Sequence, residues 1–395
     1  MIVKAVGELG RRVTVADVVA KTGQSVGDVS QALNKLASET NANLEVTKTG
    51  EIYYCYQPNY FYLLLARNFA VFLRHGWNRI MALLFFAFKM SFGILLLVSI
   101  MCVMTTILII QTIALSFSGN STLIANMWMD FWTICVRFTQ RQMAPSEIDP
   151  NAADGAKTNF LLDCYSFLFG DGNPNGNVEE TRWQLIAQTI RLNEGVVLAE
   201  HLAPYLARDP DEERDIFSVL AKFGGIPEVS ESGNIVYVFP TMRSRSAVSS
   251  YGLVPALLEQ KLWKFSYLNR DRMRKMLALI VANLLGSGLL VLIFAITHRQ
   301  LHHLFLFFWI YSSMYLVIPS VRFVILKLLN RNIKASNKRA QAYEQRLGNP
   351  SQELLVKLDE AEHMRSEAPP AVAEEVIYTT ARDLLDQSIE QAQGG

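Results

Sequence analysis

The run Asp171-Gly-Asn-Pro-Asn-Gly-Asn-Val-Glu-Glu-Thr-Arg182 has the oxygen-rich spacing of a calcium loop. Asp171, Asn173, Asn175 and Gly176 fall on the first, third, fifth and sixth positions of an EF-hand, and Val178 on the apolar eighth. The twelfth position, where a bidentate glutamate belongs, is Arg182, and Pro174 is foreign to such a loop. The bland alternative is a tight turn ahead of a helix starting at Val178. His298 and His302 stand one helical turn apart, with His303 beside them, the spacing of a metal or pH-sensing pair. No carboxylate or cysteine nearby completes that set, and polar histidines suit a membrane–water boundary. Cys55, Cys102, Cys135 and Cys164 are dispersed with no C-x-x-C, which is neither a disulfide framework nor a zinc or cluster site. No G-x-S-x-G, H-E-x-x-H, P-loop or dinucleotide fingerprint occurs. The sequence therefore names no catalytic residue and no cofactor. Asp171, Asn173, Asn175, His298 and His302 are the weak metal candidates.

Composition says what kind of elements must position these residues. Of 395 residues, 51% are hydrophobic and only 18% charged, with a mean hydropathy of +0.18, whereas soluble domains average about 25% charge. That excludes a disordered chain, a collagen-like fibre and an ordinary soluble enzyme. The 37 Lys+Arg against 36 Asp+Glu leave +1, so no global field points to nucleic acid. No cleavable signal or transit segment is expected at the N-terminus. Phe92–Leu115 is uncharged over 24 residues, enough for the roughly 20 that cross a bilayer core. Met276–Thr297 and Leu304–Leu326, joined by a short polar connector, predict a helical hairpin. Pro319 predicts a kink, and Lys89 and Arg322, near span ends, read as snorkelling cations. Basic clusters flank all three runs, among them Arg74 and Arg79, Arg272 and Arg274, Arg331 and Lys334. The positive-inside rule then places every flank on the cytoplasmic side, which needs an even number of crossings. A re-entrant hairpin over Ile80–Phe117, or insertion of the Trp-rich Leu123–Phe138, would supply it.

The polar parts repeat. VTVADVVA (13–20) matches VVLAEHLA (196–203), DVSQALNKL (28–36) matches DIFSVLAKF (215–223), and EVTKTGEIYYCY (45–56) matches EVSESGNIVYVF (228–239). The offsets are 183, 187 and 183 positions, far too long for a solenoid and right for one duplicated domain. Thr14 with Asp17 and Ser25 with Asp28 start helices, Val29, Leu33 and Leu36 make an apolar stripe, and the last block is a hairpin about Lys48-Thr49-Gly50. Three helices and a two-stranded wing resemble the winged helix-turn-helix fold. A DNA-reading copy needs cations for phosphates. Residues 1–57 hold six cations and six anions, and residues 178–240 hold five cations and eleven anions, with DEERD at the head of the would-be recognition helix. Protein docking fits this balance better than DNA. The basic aromatic segments Tyr60–Arg79 and Leu257–Lys275 suit helices at the headgroup boundary.

SFLFGDGNPNGNVEETRWQLIAQTIRLNEGVVLAEHLAPYL (Ser166–Leu206), Gly224–Pro240, LWKFS at Leu262–Ser266 and IYTTARDLL at Ile377–Leu385 closely resemble a signature of uncharacterised membrane proteins of cyanobacteria and chloroplasts. Plant members are often labelled an iron–sulfur cluster biosynthesis family. The resemblance spans the chain, implies a plasma or thylakoid membrane and leaves the activity open.

The expected fold is a mainly α membrane protein with duplicated winged helix-turn-helix-like (α+β) domains, each followed by transmembrane helices. Residues 1–58 form the first domain, 59–91 a basic aromatic interfacial linker helix, and 92–117 a transmembrane segment or part of a re-entrant hairpin from 80. Residues 118–177 connect, 178–240 form the second domain, 241–275 a basic interfacial linker, 276–326 a transmembrane hairpin and 327–395 a polar helical tail. The expected function is non-enzymatic: two docking modules on the cytoplasmic or stromal side, serving assembly or maintenance of a photosynthetic membrane complex. Its expected partners are membrane lipid and other proteins, with no nucleic acid and no small-molecule substrate. One rival is an iron–sulfur or cofactor assembly factor, which would depend on Cys55 or Cys164. The other is a membrane-tethered DNA-binding regulator.

Overall fold

A computed structural model of the chain describes residues 1–48, 50–58, 69–117, 121–143, 160–206, 213–243, 254–297, 299–366 and 376–381. In chain order come α1 (Ile2–Leu9), β1 (Arg12–Val13), α2 (Val15–Thr22), α3 (Val26–Thr40), β2 (Asn43–Thr47) and β3 (Ile52–Cys55). The long helix α4 (Phe69–Ser116), α5 (Ser121–Met143) and the short α6 (Phe160–Phe169) follow. Next are α7 (Val178–Leu192), β4 (Val196–Val197), α8 (Ala199–Leu206), α9 (Glu213–Phe223), β5 (Ile226–Val229) and β6 (Ile235–Val238). The chain ends in α10 (Arg270–Thr297), α11 (Arg299–Gly348), α12 (Gln352–Ser366) and β7 (Val376–Thr379). These elements fall into two compact units, residues 1–74, 175–262 and 332–395 in one, and 75–174 and 263–331 in the other.

In the first unit, Thr14 and Asp17 close a reciprocal capping box on α2, and Ser25 caps α3 by accepting the Asp28 N–H. Both satisfy donors that a helix start leaves orphaned. Val29, Leu33 and Leu36 bury one stripe of α3. The first sheet has the order β1-β3-β2-β7 and the second β4-β6-β5, all antiparallel neighbours. Val13 stands opposite Tyr54 in one and Val197 opposite Tyr237 in the other. One apolar core joins the two sets of elements: Val18, Val19 and Leu33 lie in the same cluster as Ile186, Ile190, Leu202 and Phe223. Gly23 ends α2 in the left-handed conformation at φ 67°, and a Cβ there would sit 2.6 Å from the Gln184 backbone nitrogen on α7. Only glycine permits that close approach.

The second unit holds the apolar helices. Among the described residues, three helices are long and apolar enough to cross a membrane: Arg79–Ser116, Arg270–Ile296 and Gln300–Gly348. Helix α4 runs unbroken through residues 80–116, so the chain does not reverse there; no proline interrupts the run. Trp128 of α5 donates its indole N–H to Thr112 on α4 (3.0 Å). Helix α11 is continuous past Pro319. Within the bundle, Asn283 on α10 donates through Nδ2 to Ser99 on α4 (2.8 Å) and Ser312 on α11 (2.7 Å), with all three side chains buried. Such polar contacts hold helices together where lipid removes the hydrophobic drive.

Candidate functional site

Two arrangements concentrate polar side chains inside the protein. The first joins the two halves of the first unit. The Arg191 guanidinium on α7 meets Asp17 on α2 at 2.6 Å, and the two side chains are 0% and 5% exposed. The other oxygen of Asp17 accepts the Thr14 N–H (3.0 Å) and hydroxyl (2.8 Å), so one carboxylate both starts α2 and anchors α7.

The C-terminal tail lies on both sheets of this unit. Leu354 and Ala361 of α12 pack in a buried cluster with Val196, Leu198 and Val236. Glu360 accepts from Ser230 (2.6 Å) and Asn234 (3.0 Å), and Lys357 pairs with Glu200 at 3.0 Å. Beyond it, β7 adds to the outer edge of β2, with Glu45 opposite Thr379 and Val46 opposite Tyr378.

His201 on α8 accepts the Leu198 N–H at Nδ1 (3.1 Å). Burial, and then the Arg365 cation, hold its pKa down at about 4 against the ordinary 6.5. Below about 6.5 the unfolded chain binds a proton that the folded one refuses, so this group's contribution is lost as pH falls from about 6.5 to about 4. The loss amounts to no more than about 3 kcal/mol. We expect the thermal midpoint of the full chain to fall across that window, and His201→Gln to flatten the dependence. An unchanged profile in the variant would assign the acid sensitivity elsewhere.

The second arrangement surrounds α6. The Arg322 guanidinium on α11 donates to the carbonyls of Ser166 (3.3 Å) and Phe167 (3.4 Å) in the last turn of α6, and to the Phe265 carbonyl. It also lies over the Phe265 ring, 4.9 Å from its centroid. Arg322 thus clamps a helix end. Gly170 closes α6 at φ +77°, and a methyl there would collide with the guanidinium. Beside the clamp, the Ser166 hydroxyl donates to Asp171 (2.6 Å) and lies 2.6 Å from Ser266 Oγ. Tyr267 donates to Asp163 at 3.0 Å. Burial pushes the Asp163 carboxyl up, partly opposed by that hydrogen bond.

Residues 254–269, expected within a helical linker, contain no helix before Arg270. Asparagines hold this stretch by pairing with its backbone as a neighbouring strand would. Asn337 takes the Gln260 N–H (3.0 Å) and gives to its carbonyl (2.8 Å). Asn175 does the same at Lys261 (2.8 and 2.7 Å), and Asn330 at Trp263 (2.8 and 2.9 Å).

The predicted site residues take structural partners. Both ends of the Asn175 amide engage Lys261, Asp171 accepts from Ser166, and Arg182 pairs with Glu179 at 2.6 Å. Asn173 lies just before the turn of residues 174–177 that leads into α7. His302 Nδ1 is 3.2 Å from the Val291 carbonyl and its ring stacks edgewise on His303; His298 lies outside the described residues. Among the described residues, no group of three or more His, Cys, Asp or Glu is placed to hold a metal ion. Burial raises the Cys55 thiol to about 11 and also raises Cys164. A cleft of about 590 Å³ is lined by Arg182 and Arg339 together with Glu179 and Asp215, charges of both signs.

Sequence reading missed Arg191, Arg322 and the three asparagines as structural centres. Asn175 had stood out only as a metal candidate and Arg322 only as a cation near a span end, while Arg191, Asn330 and Asn337 carry no local signal.

No family model matches the chain, and no solved structure matches it. It is 28% identical to an uncharacterized chloroplastic protein of Arabidopsis thaliana, over 98% of this chain and 79% of that protein. That likeness and three helices long enough to span a bilayer are compatible with a membrane location.

Proposed function

We propose that this chain is a non-enzymatic integral membrane protein presenting two winged-helix modules as docking platforms for other proteins. We place its work in assembly or maintenance of a photosynthetic membrane complex, a setting supported by the chloroplastic relative. The duplicated-domain reading is supported by the matched strand order and register of the two sheets, β1-β3-β2 against β4-β6-β5. The basic flanks of the apolar helices support a cytoplasmic or stromal face for both modules.

The observation that carries docking over DNA binding is the charge on the helices that would enter a groove. Helix α3 offers Asp28 and Glu39 with Lys35, which is 4.0 Å from Glu39. Helix α9 opens on Glu213-Arg214-Asp215. Both would meet a phosphate backbone with like charge.

Affinity capture of the tagged chain from mildly solubilised, lightly cross-linked membranes tests this. We expect a recurring set of membrane proteins, lost when the exposed acids Glu180, Glu228 and Glu231 are reversed to lysine. Recovery of specific DNA with no protein partner would overturn the reading in favour of a tethered regulator.

A further inference from the structure

The two sheets differ at their outer edges, and one residue accounts for it. In the first, the Leu44 N–H donates to Thr380 Oγ1 (2.8 Å) and the Leu44 carbonyl accepts the Thr380 N–H (2.9 Å). In the second, Glu228 matches Glu45 in the aligned blocks, so Pro227 takes the place of Leu44. Pro227 stands opposite Tyr237 on β5, every residue of which is exposed. A pyrrolidine has no N–H, and proline on an outer strand is one way proteins close an edge to further pairing. The repeat therefore holds one edge competent to receive a strand and one that is blunted.

The competent edge carries an occupant with no buried side chain. No residue of β7 is buried, with Val376 38% and Ile377 41% exposed, and the register shifts between Val46 and Thr47. It pairs with β2 through the backbone ladder. The helix before it in the chain is held differently, by the buried Leu354 and Ala361 and by the Glu360 and Lys357 contacts. The tail thus combines a helix anchored by buried side chains with a strand that buries none.

We propose that the outer edge of β2 is a strand-receiving site for an extended segment of a partner protein. That segment carries β-branched and aromatic residues in the pattern of Val376–Thr380, and β7 competes for the same edge. Strand addition gives affinity through the backbone and specificity through alternate side chains, and here Tyr378 and Thr379 are the half-buried positions that set it. The inference rests on the docking reading and names its site and its regulation.

The test uses the full chain in nanodiscs, intact and lacking residues 376–395, with a fluorescent peptide of residues 374–382 as probe. A tethered competitor acts at about millimolar effective concentration, so the intact chain should bind the peptide about tenfold or more weakly than the truncated one. N-methylation of the peptide at the Thr380 amide, or Leu44→Pro in the truncated chain, should abolish binding. Failure of the truncated chain to bind, with its circular dichroism and α12 protection unchanged, would overturn the inference. Equal binding by both chains, insensitive to N-methylation, would do the same. Exchange of β7 between differently tagged copies, lost on truncation, would assign the edge to a second copy and overturn the partner. Membrane-protein capture that survives Leu44→Pro in the truncated chain would leave docking intact while removing β2 as its site.

Discussion

Arg191→Met is expected to lower the stability of the first unit by about 3–5 kcal/mol, because it removes the cation facing the buried Asp17 carboxylate, whose side chain is 5% exposed. The same free energy read as amide exchange is about a 10²–10⁴-fold loss of protection in α2 and α7 of the full chain. Two effects compete here. Desolvating an ion pair is costly, so the intact pair is weak evidence of net stabilisation; removing one half leaves that cost with nothing to offset it. Asp17→Asn in the same background separates them. Asparagine keeps an acceptor for the Thr14 N–H that Asp17 now receives at 3.0 Å while removing the stranded charge, so the double variant should recover most of the loss. Loss of protection below about tenfold in Arg191→Met would mean that the carboxylate finds solvent or another donor, and that Asp17 and Arg191 are not what joins the two halves.

That pair also shows what a sequence can and cannot disclose. The capping box of Thr14 and Asp17 lies within one turn, and local spacing is enough to read it. Arg191 is 174 residues away, and nothing in its own neighbourhood distinguishes it from a solvated arginine at a helix end. The hairpins were legible because Lys48-Thr49-Gly50 and Glu231-Ser232-Gly233-Asn234 announce turns. The pairing of β7 with β2 was not, since it joins segments more than three hundred positions apart, as in the Leu44–Thr380 bond. The asparagine clamps on residues 260–263 were hidden for another reason. A segment mixing Trp and Lys matches an interfacial helix in composition, and only tertiary partners for its backbone make an extended course cheaper. The apolar helices were the most legible part, because bilayer thickness imposes a length that few soluble elements reach. The candidate docking edge was half legible: the repeat aligned Pro227 with Leu44, but the occupant that gives the difference meaning came only with the fold.

Arg322 carries the second large effect. Arg322→Met should destabilise the second unit by about 1–3 kcal/mol, since the Ser166, Phe167 and Phe265 carbonyls lose a charged donor. Arg322→Lys should recover little, because a single ammonium cannot reproduce the planar fork that reaches several carbonyls. Thermal unfolding of the detergent-solubilised chain, followed by size exclusion, reads both. Gly170 distinguishes a clamp from a generic loss of charge. In the native background Gly170→Ala meets two penalties, the positive φ and the collision with the guanidinium. With methionine at 322 the collision is relieved and about 1 kcal/mol of backbone strain should remain. The two substitutions should therefore be clearly non-additive, the double variant being more stable than the sum of the singles implies. Strict additivity would separate Gly170 from Arg322 and leave the arginine as a cation that merely happens to lie near the end of α6.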